Sequence, residues 1–237
     1  MTPVPGKPSN PDWIITDSDA LLQILLTDQA SLIRKLKNEY GIQFVIVEAV
    51  EAEVLKLTGD KFKFKDLRGA FDKTISTGII KVLNEAYLVG TKGASGSSLF
   101  AQAEQLGSRL YNYVHRGEAY SHAAAITLGI PILTHDVTAI YKLRDVGVPV
   151  PRLTFRVFDI LAFGHQTGVL SHAECDRARD TLIEREEFVV ECFAKASFAK
   201  GLPVFYPRLL DQAHPAIGCP TPVHKLLDER IWINKTA

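Results

Sequence analysis

The chain has 237 residues, 27 Lys+Arg against 27 Asp+Glu, and a formal net charge of zero, which excludes nucleic-acid binding through a global positive field and leaves only local basic patches for that purpose. With 46% hydrophobic residues it can bury one large core, or one core plus an appendage, while no apolar run approaches membrane-spanning length, so no membrane role is expected. Three cysteines, Cys175, Cys192 and Cys219, without a C-x-x-C pair, indicate neither a disulfide framework nor a zinc site, and the expected location is cytoplasmic.

In chain order, residues 1–12 carry Pro3, Pro5, Pro8 and Pro11 among Gly6, Ser9 and Asn10 and are expected to be a flexible lead-in without the basic and apolar regions of a signal peptide. Trp13 to Thr16 reads as a strand, and Ala20 to Glu39 as one helix with apolar Leu21, Leu22, Leu25, Leu26, Leu32, Ile33 and Leu36, stopped by Gly41. Phe44 to Val47 is a second strand and Val50 to Leu57 a short helix. Residues 59–110 look inserted, with a charged aromatic stretch, a further apolar run from Thr77 to Val89, and a Gly/Ser-rich loop from Gly93 to Ser98 that is expected to be mobile. Leu99 to His115 and Glu118 to Leu128 read as helices, Ile130 to Thr134 as a strand, Ala139 to Asp145 as a helix, and Val148-Pro149-Val150-Pro151 as an extended segment. Ser171-His172-Ala173-Glu174 has capping-box spacing for a helix that runs to Lys200 with Gly201 as its C-cap. The proline-rich end is too interrupted for long elements, and no internal repeat is evident. Alternating strands and helices predict an α/β fold, a three-layer α/β/α sandwich with a mostly parallel central sheet, plus a mostly helical C-terminal extension over 151–237.

Four acids stand at element ends. Asp17 closes the first strand, Asp136 closes the run Ile130 to His135, Glu53 lies in the helix after the second strand, and Glu118 opens an Ala-rich helix. In a parallel sheet, strand C-termini and helix N-termini share the edge at which ligands bind. Carboxylates gathered there repel, which raises some of their pKa values, and a divalent ion with oxygen preference relieves the repulsion. Mg²⁺ or Mn²⁺ held this way activates water against a phosphodiester. The plain alternative is that each acid is a helix cap, a salt-bridge partner or a surface residue.

The same residues carry a family resemblance. Ile14-Ile15-Thr16-Asp17-Ser18-Asp19 resembles the opening strand of PIN-domain nucleases, with Asp19 where Asn is frequent; Val50-Glu51-Ala52-Glu53-Val54 is similar to the second motif; Arg116-Gly117-Glu118-Ala119 to the start of the third; and Leu133-Thr134-His135-Asp136 to the fourth. The match covers about residues 13–150, interrupted by the insertion at about 59–110. It implies a metal-dependent endonuclease, usually acting on RNA, with single-stranded DNA as a further substrate. Asp17, Glu118 and Asp136 would form the metal-binding core, and Glu53 would reach metal directly or through water. Asp19 would either add a ligand or cap the next helix, while Ser18 and Thr134 would orient carboxylates. It further implies a toxin with a partner antitoxin or inhibitor protein, or an RNA-processing enzyme, and a homodimer in small members. A member that has lost activity, serving as a nucleic-acid or protein-binding module, is the alternative.

Other features are less specific. Lys61-Phe62-Lys63-Phe64-Lys65 with Arg68 interleaves charge and rings as a nucleic-acid surface does, or forms an edge strand with Lys outward. Arg116 either touches a phosphate or solvates a helix end. Of seven histidines, only His135 is expected near the acids, as a neighbour and not a ligand.

Overall fold

The structure, a computed structural model, describes residues 12–28, 30–148, 154–166, 168–187 and 189–202. Five strands, β1 (Asp12–Thr16), β2 (Ile42–Val47), β3 (Ile80–Leu83), β4 (Ile132–Leu133) and β5 (Thr154–Phe155), form one sheet in the order β3-β2-β1-β4-β5, every pair parallel. All six residues of β2 are buried, the continuous apolar run of a strand covered on both faces. Register sets Thr16 beside Leu133 and Val47 beside Leu83, so the C-terminal ends of β1 to β4 lie along one edge. The helices are α1 (Ser18–Leu26), α2 (Ala30–Tyr40), α3 (Glu48–Leu57), α4 (Arg68–Ser76), α5 (Glu85–Lys92), α6 (Ser95–Leu110), α7 (Arg116–Leu128), α8 (Val137–Asp145), α9 (Val157–Gln166), α10 (His172–Glu184) and α11 (Glu191–Ala194). This is an α/β architecture with an all-parallel sheet, compatible with three layers. No helix among the described residues is long and apolar enough to cross a membrane.

Several elements differ from the sequence expectation. The single helix over 20–39 is two helices, because Asp28 adopts φ 53° and the Thr27 hydroxyl donates to the Gln23 carbonyl at 2.8 Å, closing α1. The stretch read as an insertion contributes β3 to the sheet, pairing with β2. Residues 61–65 are turns leading into a 3₁₀ turn, Lys65–Leu67, not an edge strand; Leu67 is buried and anchors it. The Gly/Ser-rich segment is no loop beyond Ala94, since α6 starts at Ser95. Gly96 there lies against α5: an added Cβ would stand 2.6 Å from the Val89 nitrogen and closer still to the Leu88 carbonyl. The long helix over 171–200 breaks after α10, where Glu186 takes φ 55°. Its N-terminal capping box is present, with Ser171 and Glu174 in reciprocal bonds. Gly201 is helical and not a C-cap; a Cβ on it would meet the Phe193 ring at 2.5 Å.

The described residues between 154 and 202 join the same core. β5 is the sheet's edge strand, and Phe155, Phe158, Phe193 and Phe198 are buried in one cluster with residues of β1 and β2. Phe193 stacks between Phe158 and Phe198 with centroids 4.9 Å apart on each side. A smaller cluster of Leu110, Val114, Ala119, Ala123, Ala139 and Leu143 joins α6, α7 and α8. The expected lead-in (bar Asp12), the extended segment after Val148 and residues 203–237 lie outside the described residues.

Gly96→Ala is expected to lower the urea midpoint by the equivalent of about 1–3 kcal/mol at unchanged m-value, the cost of overpacking a backbone contact. A midpoint equal to wild type would show that α5 and α6 do not approach this closely.

Candidate functional site at the sheet edge

Asp17 follows β1 and is the N-cap of α1, its Oδ1 accepting from the Ala20 N–H at 2.9 Å. The residue is 3% exposed. Its own N–H donates to the Leu133 carbonyl at 3.0 Å, which fixes it beside the end of β4. Thr134, one residue past β4, hydrogen-bonds to the Asp17 carboxyl while its Oγ1 accepts from the Asp136 N–H at 3.1 Å. One hydroxyl thereby ties together the two acids that end β1 and β4. Asp136 is in turn the N-cap of α8, accepting from the Ala139 N–H at 3.0 Å.

Glu118 occupies the first turn of α7, where it accepts from the His115 N–H at 3.1 Å. Its carboxyl is also hydrogen-bonded to that of Asp136. Glu53 projects from α3 and accepts from the Ser18 hydroxyl at 3.1 Å. It lies directly against Gly117, where any Cβ would collide with its Oε2. Gly117 thus leaves room for the Glu53 carboxylate beside the first turn of α7. Asp19, exposed on the first turn of α1, lies within electrostatic reach of Glu53 and Asp136.

The charges respond to one another. Desolvation raises Asp17 to about 7 against the bonds from Thr134 and Ala20, with Asp19 and Asp136 adding repulsion. Glu118 is pushed up to about 8 by desolvation, its hydrogen bond to Asp136 and the Asp136 charge. Burial alone would raise Asp136 too, but the hydrogen bonds from Glu118 and the Ala139 N–H hold it below the ordinary range. Of this pair, Glu118 is therefore the acid that holds a proton more readily and Asp136 the one that stays ionised more readily. Although Asp19 is exposed as a residue, partial desolvation of its carboxyl raises it, followed by the charges of Glu53, Glu187 and Asp136. Among the described residues none of these acids has an ion-pair partner.

An all-oxygen donor set without a counter-cation suits a hard divalent ion. As the side chains stand, no three His, Cys, Asp or Glu among the described residues are arranged to hold one ion. The arrangement is a convergence of pairs: Asp17 with Asp136 through Thr134, Asp136 with Glu118, and Glu53 with Ser18.

The basic candidates are more dispersed in role. Lys63 pairs with Glu187 at 2.7 Å, Arg68 with Asp72 at 3.1 Å, and Arg185 with Asp66 at 3.0 Å. Lys61 and Lys65 are exposed. Glu187 reaches Asp19 electrostatically, so this charged turn borders the acids. Arg116 is exposed at the start of α7, its guanidinium 5.9 Å from the Tyr120 ring centroid. His135 is kept neutral, with its pKa lowered to about 4 by burial and by Arg156.

His122 was not evident from spacing among histidines alone. It is 1% exposed, neither ring nitrogen has a hydrogen-bond partner among the described residues, and it feels the Asp136 charge. The signal lay in mixed spacing: four residues after Glu118, it shares that helix face.

Set against known proteins, the chain matches no family model, no curated protein and no solved structure.

Asp17 rises from 3.8 to about 7 and Glu118 from 4.5 to about 8, so across that interval the folded state holds more protons than the unfolded one and stability declines as pH rises. In EDTA, the urea midpoint is expected to fall between about pH 4.5 and pH 8. Glu118→Gln, which keeps an acceptor for His115 and a donor for Asp136, is expected to flatten that fall. A midpoint rising over this interval would show that the carboxyls are not coupled.

Proposed function

We propose that this protein is a PIN-like, Mg²⁺- or Mn²⁺-dependent endonuclease that hydrolyses phosphodiester bonds in RNA. The observation that carries this reading is the gathering of Asp17, Glu53, Glu118 and Asp136, from four separate elements, at one edge of a parallel sheet, with no cationic side chain among the described residues paired to any. Asp17, Glu118 and Asp136 would hold the ion, with Glu53 beside them. When bound, the ion supplies charge neutralisation at the phosphate and acidifies its water. The chain's own part is positional. Thr134 orients Asp17 and the Asp136 backbone, Ser18 orients Glu53, and Gly117 leaves room for the Glu53 carboxylate. Roles as a toxin neutralised by an antitoxin, or in RNA processing, belong to the same proposal; growth arrest on expression separates them.

A second reading, a catalytically inactive PIN-like binding module, has its own support. Asp17 and Asp136 cap helices, Glu118 completes a capping box, and among the described residues no three acids close on one point.

Cleavage of mixed RNA and single-stranded DNA with Mn²⁺ separates the two. Asp17→Asn and Asp136→Asn are each expected to lower the rate by about 100-fold or more, since groups one step removed from a metal are already worth about 10–100-fold. Cleavage that survives both changes overturns the site assignment.

Mn²⁺ at about a hundredfold above its dissociation constant is expected to stabilise wild type by about 2.7 kcal/mol. Asp136→Asn should shrink that gain, while Asp17→Asn should match or exceed wild type in EDTA, because Asp17 is the acid that burial and repulsion raise, and Asn still caps α1 without a charge. Absence of any Mn²⁺ response at millimolar concentration in folded wild type supports the binding module.

A further inference from the structure

The turn joining α6 to α7 bears features that the acid site does not use. Tyr111 and Tyr113 are 56% and 49% exposed, the two most exposed large hydrophobic side chains among the described residues. A lone exposed ring is ordinary surface, whereas neighbouring exposed rings in one patch mark a surface that meets a partner. This segment is built to be rigid. The N–H groups of Tyr111, Asn112, Tyr113 and Val114 donate to the carbonyls of Gly107, Arg109 and Leu110 at 2.9–3.4 Å. Val114, between the rings and the site, is buried in the cluster of α6, α7 and α8.

The turn then runs into the acids without a break. His115 is exposed and gives its N–H to Glu118, and Arg116 is exposed beside it. Two rings on a fixed turn are thus followed within three residues by an imidazole and a guanidinium, and immediately afterwards by the carboxyl pair. Rings offer π-faces to bases of any identity, and cationic groups track the phosphates between them. A duplex hides its base faces in the stack, so a surface of this kind discriminates for unpaired strands.

We propose that Tyr111 and Tyr113, with His115 and Arg116, form a base-stacking subsite that holds an unpaired RNA strand and feeds it to the acid cluster. The inference rests on the nuclease reading for its direction, but its binding chemistry needs no metal. It is therefore tested in EDTA, where failure of cleavage and failure of stacking are separate results.

The probe is a fluorescein-labelled oligouridine of about twelve nucleotides, read by anisotropy, with an RNA duplex of equal length as comparison. Wild type is expected to bind the single strand more tightly than the duplex. Tyr111→Ala and Tyr113→Ala should each weaken binding by about 5- to 150-fold, while Tyr111→Phe and Tyr113→Phe retain it. Arg116→Gln should reduce the slope of log affinity on log salt by about one ion. Because both rings are exposed, the Ala variants should melt with wild type. In the unsubstituted protein, bound oligouridine should protect Tyr111 and Tyr113 from nitration by tetranitromethane. Ala variants that bind as wild type, preference for the duplex, rings nitrated equally with and without the strand, or no binding at about 0.1 mM protein each overturn the proposal.

Discussion

The site depends first on the pairing of β1 with β4, two strands far apart in the chain. Ile15 N–H donates to Pro131 and Asp17 N–H to Leu133, at 2.9 and 3.0 Å. The second of these bonds is made by the backbone of a candidate site residue itself, so the sheet ladder and the carboxylate position are one constraint. Both strands are buried at every described position, so a slip by one residue would draw a carboxylate into the apolar sheet. The register that protects the core therefore also sets Asp17 beside Thr134 and, through it, Asp136.

Helix capping and charge clustering are not competing explanations here. A carboxylate at a helix N-terminus gains about 1 kcal/mol as a cap and meets a favourable dipole. Three helices, α1, α7 and α8, begin at one sheet edge and each employs an acid in its cap or capping box. The architecture thus makes it locally favourable to place acids where collectively they repel. The excess appears as a raised Asp17 and a raised Glu118. Removing charge at such a point relieves the fold, which is the usual relation between a functional cluster and stability.

Close backbone approach decides the rest of the geometry. Gly117 admits Glu53, and Gly96 seats α6 on α5. Through α6 and its packing on α7, the turn with Tyr111 and Tyr113 is held at the N-terminus of α7, whose first turn carries Glu118. His122 sits inside the same helix, buried without a hydrogen bond among the described residues, a costly placement for a polar ring. Its proximity to Asp136 marks it as part of the electrostatic surroundings of the pair.

The sequence alone determined the apolar runs of β1, β2 and β4, the α/β alternation, and the position of Asp17, Glu118 and Asp136 at element ends, because strand burial and helix capping leave local signatures; Glu53, read as the fourth such acid, lies in the middle of α3. The helices α3, α7 and α8 were legible for the same reason. Breaks at Asp28 and Glu186 were not, since both depend on non-Gly residues held in left-handed conformations by their surroundings. Nor was the role of β3 and β5, short strands whose membership rests on partners elsewhere in the chain. Ser95 to Ser98 reads as loop by composition but is helix because Gly96 fits against Leu88 and Val89. Which acids touch, which of them holds a proton more readily and which histidine lies behind them were decided by tertiary structure alone, because those quantities depend on distances between α3, α7 and the ends of β1 and β4, and distance across a sheet leaves no trace in a local pattern.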